Sequence, residues 1–170
     1  MNQAASDPDA ANGKSGAQGG QLSIRKLYLK DLSFESPAAP GLFSGQVNPE
    51  ININLGATSS ALGGDDHEVV VTATVEAKKD DSVLFLVEVH QAGVFQVRGV
   101  DQQQLAWALG VTCPNILFPY VRQVISDMTV AGGMPPLLLN PVNFEALYRQ
   151  HLAEADAKGQ SGNGESPVTH

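Results

Sequence analysis

The stretch VVVTATVEAKKDDSVLFLVEVH, residues 69–90, decides the fold. On both sides of residues 79–82, apolar side chains recur at every second position, the spacing that turns one face of a β-strand towards a core. The residues predicted to share that face are Val69, Val71, Ala73, Val75, Ala77, Val83, Phe85, Val87 and Val89. The polar run 79–82 is typical of a tight turn. The stretch therefore predicts an antiparallel hairpin with one buried face.

Two further strands are predicted upstream of this hairpin. Ile51, Ile53 and Leu55 alternate with asparagines, which indicates a half-buried strand. Residues 22–34 alternate imperfectly, and the pattern predicts two opposite faces. Leu27 and Leu29 are predicted on one face, and Ile24, Tyr28 and Phe34 on the other. Successive strands joined by short turns predict an antiparallel meander rather than parallel βαβ units.

The second half of the chain carries helical patterns. Asp101 predicts the N-cap of a short helix that runs through Leu109 and ends at Gly110. A longer helix is predicted to about Ala131, with a bend at Pro119. Asn143 predicts the cap of a last helix that carries Phe144, Leu147, Tyr148 and Leu152. Strands followed by helices indicate an α+β fold.

Composition sets the boundaries of the folded part. Residues 1–20 and 159–170 are poor in apolar side chains and are predicted to be flexible, because they cannot offset the entropy lost on ordering. A single domain is expected over residues 21–158. The formal net charge of -8 disfavours nucleic acid and anionic membranes as partners. With one cysteine, no secretory signal and no apolar run of roughly 18 residues, a soluble cytoplasmic protein is expected.

The residues that usually carry catalysis or bind metals are scattered. The four histidines lie in unrelated segments without metal-ligand spacing, so no metal and no cofactor is predicted. Cys113 has no neighbouring base and is interpreted as an incidental thiol. Asp31, Glu35 and Glu88 are the carboxylates of a possible hydrolase, although solvated strand faces carry such residues routinely. No enzymatic activity is therefore predicted.

Two features favour a binding function instead. If the apolar face of residues 83–89 points inwards, Leu84, Leu86 and Glu88 point outwards together, as in an interaction surface. Four aromatic residues around the Pro119 bend suggest an apolar groove, with the Gly-Pro loop 132–136 as a mobile wall. They are Phe118, Tyr120, Phe144 and Tyr148. A pocket for a small apolar ligand is an alternative interpretation of the same residues.

Three strings resemble signatures of the SecB family of bacterial protein-export chaperones. They are LYLKDLSFESP at residues 27–37, CPNILFPY at 113–120 and NPVNF at 140–144. The resemblance covers about residues 22–152 and keeps the order and spacing of the strings. It implies an α+β protomer with a four-stranded antiparallel sheet and helices packed on one face. It also implies a homotetramer built as a dimer of dimers.

The resemblance further implies an ATP-independent holdase that binds unfolded precursor proteins and passes them to the SecA ATPase for export. By their positions, Asp31, Glu35, Leu86 and Glu88 match the acidic patch that receives the basic, zinc-holding C-terminal tail of SecA. Zinc would then belong to the partner. Phe118, Tyr120, Phe144 and Tyr148 match the client groove. Residues 41–47 lack the tryptophan of some members, which leaves the aromatic lining there open. A SecB-like chaperone of an antitoxin is a further alternative.

Overall fold

Four antiparallel strands and three α-helices make up the part of the chain that the computed structural model describes, residues 20–45 and 48–161. The strands are β1 (Gln21–Glu35), β2 (Glu50–Gly63), β3 (Asp66–Lys79) and β4 (Ser82–Arg98). The helices are α1 (Gln102–Trp107), α2 (Cys113–Ala131) and α3 (Phe144–Ser161). A short 3-10 turn (Gly41–Phe43) follows β1, and a π-helical turn (Ala108–Thr112) joins α1 to α2.

The strands are ordered β1-β4-β3-β2, and every neighbouring pair is antiparallel. The predicted α+β class is thereby confirmed. Strands β2 to β4 form the predicted meander, whereas β1 joins the far edge beside β4, which is the order of a Greek key. Since β3 and β4 are central, they supply most of the buried strand residues. Strands β1 and β2 are the edges of the sheet.

Helix α2 covers one face of the sheet and closes the core. Its apolar stripe includes Leu117, Val121 and Ile125, which are fully buried against β3 and β4. The predicted inward-facing residues of β3 are buried there, as are Phe85, Val87 and Val89 of β4. We call this side of the sheet the inner face and the opposite side the outer face.

Two irregularities in β1 overturn the predicted sorting of its side chains. The register with β4 shifts between Ile24 and Lys26 and again between Leu29 and Asp31, so one extra residue is inserted at each point. Each insertion reverses the alternation that follows it. Tyr28 therefore lies opposite Ala92 on the outer face and not with Ile24 and Phe34 as predicted.

A third irregularity corrects the prediction for Leu84. The register of β3 with β4 passes from Ala77–Phe85 directly to Lys78–Val83, which leaves Leu84 as the extra residue. Leu84 is consequently buried in the core cluster beside Phe85, although alternation predicted it on the outer face with Leu86. Its carbonyl accepts a hydrogen bond from Ser36 Oγ at 3.2 Å, which ties the end of β1 to this point.

The helix caps confirm two predictions, and Gly110 corrects a third. Asp101 accepts a hydrogen bond from the Gln104 backbone N–H at 2.7 Å, and Asn143 Oδ1 accepts from that of Ala146 at 3.0 Å. Gly110 does not end a helix, because the π-helical turn carries the chain on into α2. A Cβ at Gly110 would overlap the ring of Tyr148 on α3. The glycine therefore permits a close helix contact rather than a stop.

Neither predicted tail can be assessed over its full length. Residues 1–19 and 162–170 lie outside the described part, and α3 extends to Ser161. The boundaries at 20 and 158 remain predictions. Among the described helices, none combines the length and the apolar character that a membrane crossing requires.

Removal of the Leu117 side chain should strongly destabilise the fold. Leu117 is 0% exposed, so Leu117→Ala creates a cavity and should lower the free energy of unfolding by about 2–5 kcal/mol. The matched control is Leu152→Ala on α3, where the leucine is 49% exposed and the expected loss is about 0.5 kcal/mol or less. Urea denaturation at one fixed protein concentration measures both. Equal losses would contradict the packing of α2 on the sheet.

Candidate functional site

The four residues predicted for partner docking come together on the outer face of β1 and β4. Glu35 lies opposite Leu86, and Glu88 lies two residues further along β4 on the same face. Asp31 lies opposite His90, the next outward residue of β4. We call Asp31, Glu35, Leu86 and Glu88 the outer acidic surface. It presents three carboxylates around one aliphatic side chain.

The outward position of Asp31 depends on the irregularity at Lys30. Simple alternation places Asp31 on the same side as Leu27 and Leu29, whose partners on β4 are inner-face residues. Because Lys30 is the extra residue, the chain resumes with Asp31 on the outer face and Leu32 on the inner face. The local distortion therefore assembles the outer acidic surface from two strands.

His90 is a member of this neighbourhood that the sequence analysis missed. Its Nε2 donates to Glu88 Oε1 at 2.8 Å, and Thr74 Oγ1 on β3 lies 3.4 Å from Glu88 Oε2. The hydrogen bond from His90 lowers the pKa of Glu88, which keeps this carboxylate ionised. The alternation that places Glu88 on the outer face also places His90 there, but spacing along the chain does not reveal the contact between them.

Asp31, Glu88 and His90 also form the one described group of metal-ligand type. Each offers one ligand atom, and these atoms lie within 4.8 Å of one another. Exposed groups of this kind are common without an ion. The expectation that the chain itself holds no metal therefore stays a prediction.

Next to the outer acidic surface, two polar side chains of β1 reach across β4 to Glu68 on β3. Lys30 Nζ contacts both carboxylate oxygens of Glu68 on β3, at 2.8 and 2.9 Å, and the Tyr28 hydroxyl donates to the same carboxylate. These bonds lower the pKa of Glu68, with the Lys30 ammonium as the largest cause, and the bond to Glu68 raises the pKa of Tyr28. The ammonium of Lys30 is thereby directed to Glu68.

On the inner side, an apolar groove follows edge strand β2. Ile51, Ile53 and Leu55 share the inner face, opposite buried residues of β3. Ile51 lines a cavity of about 1020 Å³ at one end, and Leu55 lines a cavity of about 480 Å³ at the other. Ile53 lies between them and is 48% exposed. We call the two cavities with these three residues the β2 groove.

The four aromatic residues predicted for the client groove separate into two pairs. Phe144 and Tyr148 line the smaller cavity. Phe118 is only 6% exposed and packs edge to face on Phe144 at 5.6 Å, and Tyr120 projects from α2 with 47% of its surface exposed. The structure therefore brings two of the four to the β2 groove and places the other two elsewhere.

Four leucines supply the large aliphatic side chains of the smaller cavity. They are Leu55, Leu105, Leu109 and Leu147, and Leu105 and Leu109 lie at i, i+4 spacing. Trp107 meets Tyr148 edge to face at 5.9 Å beside this cavity. The sequence analysis missed these residues because a groove and a core have the same apolar composition.

The larger cavity shows that the segment 41–47, which lacks the tryptophan of some family members, still supplies an aromatic side chain. Phe43, in the segment 41–47, lines it, and Met134, Pro135 and Pro136 of the predicted Gly-Pro wall lie across from β2. An aromatic ring is therefore present at this end. Among the described lining residues of both cavities there is no Lys, Arg, Asp or Glu.

Cys113 is fully buried at the start of α2. Burial raises the pKa of its thiol to about 12, since the thiolate would lose its hydration. The thiol therefore stays protonated at neutral pH, and the predicted incidental role agrees with this position.

A family model for SecB, described as preprotein translocase subunit SecB, matches residues 15–155. The chain belongs to the SecB family. A curated relative, protein-export protein SecB of Nitrosomonas eutropha, is 53% identical over 78% of this chain and 84% of its own length. The SecB of Methylobacillus flagellatus is 52% identical over 81% of this chain and 88% of its own length. The SecB of Pseudomonas paraeruginosa is 43% identical over 89% and 93%.

A solved structure has the same SecB-like fold. It is a SecB-like chaperone of Mycobacterium tuberculosis in complex with a peptide of the HigA1 antitoxin, at a TM-score of 0.59. The two proteins are 19% identical, and the likeness covers 71% of this chain and 90% of the other. At that identity the likeness supports the fold.

Proposed function

We propose that this chain is an ATP-independent export chaperone of the SecB type. It binds unfolded precursor proteins in the β2 groove and docks the SecA ATPase on the outer acidic surface. The observation that carries the proposal is the placement of these two surfaces on opposite faces of one sheet. One molecule can therefore hold a client and meet its partner at the same time. The names of the relatives, protein-export protein SecB, support the same assignment.

The β2 groove suits an extended, non-native segment. Its mainly apolar lining, which lacks Lys, Arg, Asp and Glu among the described residues, gains about 25 cal/mol for each Å² of apolar surface that a client buries. Strand β2 pairs only with β3 among the described strands, so its other edge can add backbone hydrogen bonds to an extended chain. A folded protein hides its apolar side chains and its backbone hydrogen-bonding groups. The β2 groove should therefore select the unfolded state of a client.

The outer acidic surface suits the basic, zinc-holding C-terminal tail of SecA. Three carboxylates attract the cationic tail, and Leu86 offers an apolar contact among them. The lowered pKa of Glu88 keeps its negative charge available. Zinc in such a complex belongs to the tail, so docking needs no ligand from this chain.

A homotetramer in the cytoplasm completes the proposal. Tyr120 and Val130 are exposed on the side of α2 away from the sheet, where a second helical layer would cover them. Four grooves on one particle would raise the effective concentration for a long client. Light scattering of the pure protein should therefore give about four times 17.9 kDa, or about 72 kDa. A monomer over the micromolar range would contradict this assembly.

Ile53→Asp should weaken client binding without unfolding the protein. The change places a carboxylate between the two cavities, at a side chain that is already half exposed. Loss of one apolar contact and the cost of an unpaired charge should raise the Kd for a urea-unfolded, labelled precursor about tenfold or more. Fluorescence anisotropy measures the change.

Asn54→Asp is the matched control for that experiment. It adds the same charge one residue further along β2, on the outer face opposite Thr74. Client affinity should stay close to that of the wild type. Equal weakening by both variants would refute the β2 groove, and competition by the native form of the precursor would refute selectivity for the unfolded state.

Glu88→Lys should disrupt docking of SecA. Charge reversal replaces an attraction by a repulsion at the middle of the outer acidic surface, and we expect the Kd for the zinc-loaded SecA tail peptide to rise about tenfold or more. Isothermal titration calorimetry at low salt measures it. Glu154→Lys, the same reversal on exposed helix α3, should leave the Kd within about twofold. Docking that is indifferent to Glu88 would favour another partner, such as an antitoxin.

A further inference from the structure

His90 lies within the outer acidic surface, where its charge state changes the field that a partner meets. Its ring nitrogen is 2.8 Å from Glu88 Oε1, and its ligand-type atoms lie within 4.8 Å of those of Asp31 and Glu88. The ring is partly open to solvent, with 31% of the side chain exposed. Histidine is the side chain whose charge normally changes between pH 5 and 8.

Two carboxylates lie near His90, so binding of one proton to its ring changes the local net charge by a large fraction. Asp31 on β1 and Glu88 on β4 are both anionic, and the register partner on β3 is the uncharged Thr72. Thr74, the next outward residue of β3, bonds Glu88. The cation next to Asp31 in sequence, Lys30, is held by Glu68. Proton binding to His90 therefore adds a cation next to two carboxylates.

We propose that protonation of His90 regulates docking at the outer acidic surface. The neutral ring donates to Glu88 but adds no charge beside Asp31 and Glu88, whereas the imidazolium neutralises part of their negative charge. This inference rests on the proposed docking of the basic SecA tail. Docking is accordingly tighter when His90 is neutral and weaker when it is protonated.

Linkage gives the same proposal a second consequence. If proton binding weakens docking, docking must weaken proton binding to the same extent. A cationic tail that contacts Asp31 and Glu88 therefore expels the proton from His90. Where His90 is partly protonated, docking should release a fraction of a proton for each tail bound.

The test compares each protein with itself at two pH values. The zinc-loaded SecA tail peptide is titrated into full-length wild type and into His90→Gln, at pH 8.0 and at pH 5.5. Wild type should lose about fivefold more affinity than His90→Gln on acidification, the size of one exposed charge contact. Taking the ratio between the two proteins cancels the effect of pH on the peptide and its zinc.

His90→Lys and proton counting supply the controls. The lysine keeps a cation at both pH values, so its pH dependence should resemble that of His90→Gln, with weaker binding at pH 8.0 than wild type. Calorimetry at pH 6.5 in buffers of different ionisation enthalpy should show proton release with wild type beyond that with His90→Gln. Circular dichroism checks that the variants are folded.

The outcomes separate this inference from the proposed function. Equal pH dependence and equal proton release in wild type and His90→Gln, with docking at pH 8.0 intact, overturn the role of His90 alone. Absence of docking by wild type at pH 8.0 overturns the proposed SecA contact and this inference with it. A loss of affinity on acidification that is about fivefold larger in wild type than in either variant supports it.

Discussion

The packing of α2 on the central strands sets the geometry of the whole protein. Val71, Val75 and Val87 are fully buried in the core that α2 closes, so the sheet has one face that must be covered. The opposite face is then left for polar residues, and Glu88 and His90 lie there because they alternate with buried valines. The outer acidic surface is in this sense a consequence of core formation.

Alternation alone predicted β3 and most of β4, and it failed at Leu84 and in the first edge strand. In β3 every second residue from Val69 to Ala77 is buried as expected, because no insertion interrupts it. In β1 the insertions at Arg25 and Lys30 each reverse the pattern, and a single sequence gives no local signal for either. Family resemblance, rather than alternation, therefore placed Asp31 correctly beside Glu88.

The groove shows a different limit of sequence reasoning. Large aromatic residues were predicted to line it, but Phe118 is buried by its packing on Phe144. This contact joins α2 to α3 and cannot be recognised from a local sequence pattern. Gly110 was interpreted as a helix stop for the same reason, since its true partner is Tyr148 on a distant helix. Local signals such as the Asp101 and Asn143 caps were predictable because they depend on residues three apart.

Strand β4 connects the two functional faces and limits how they can influence each other. Val87 and Val89 are buried on the inner side of the same strand that presents Glu88 outwards, and β4 is hydrogen-bonded on both edges. A central strand held in this way has little freedom to shift when a tail docks on Glu88. Docking and client binding should therefore be nearly additive. If the proposed function holds, release of a client does not depend on a deformation transmitted through the sheet.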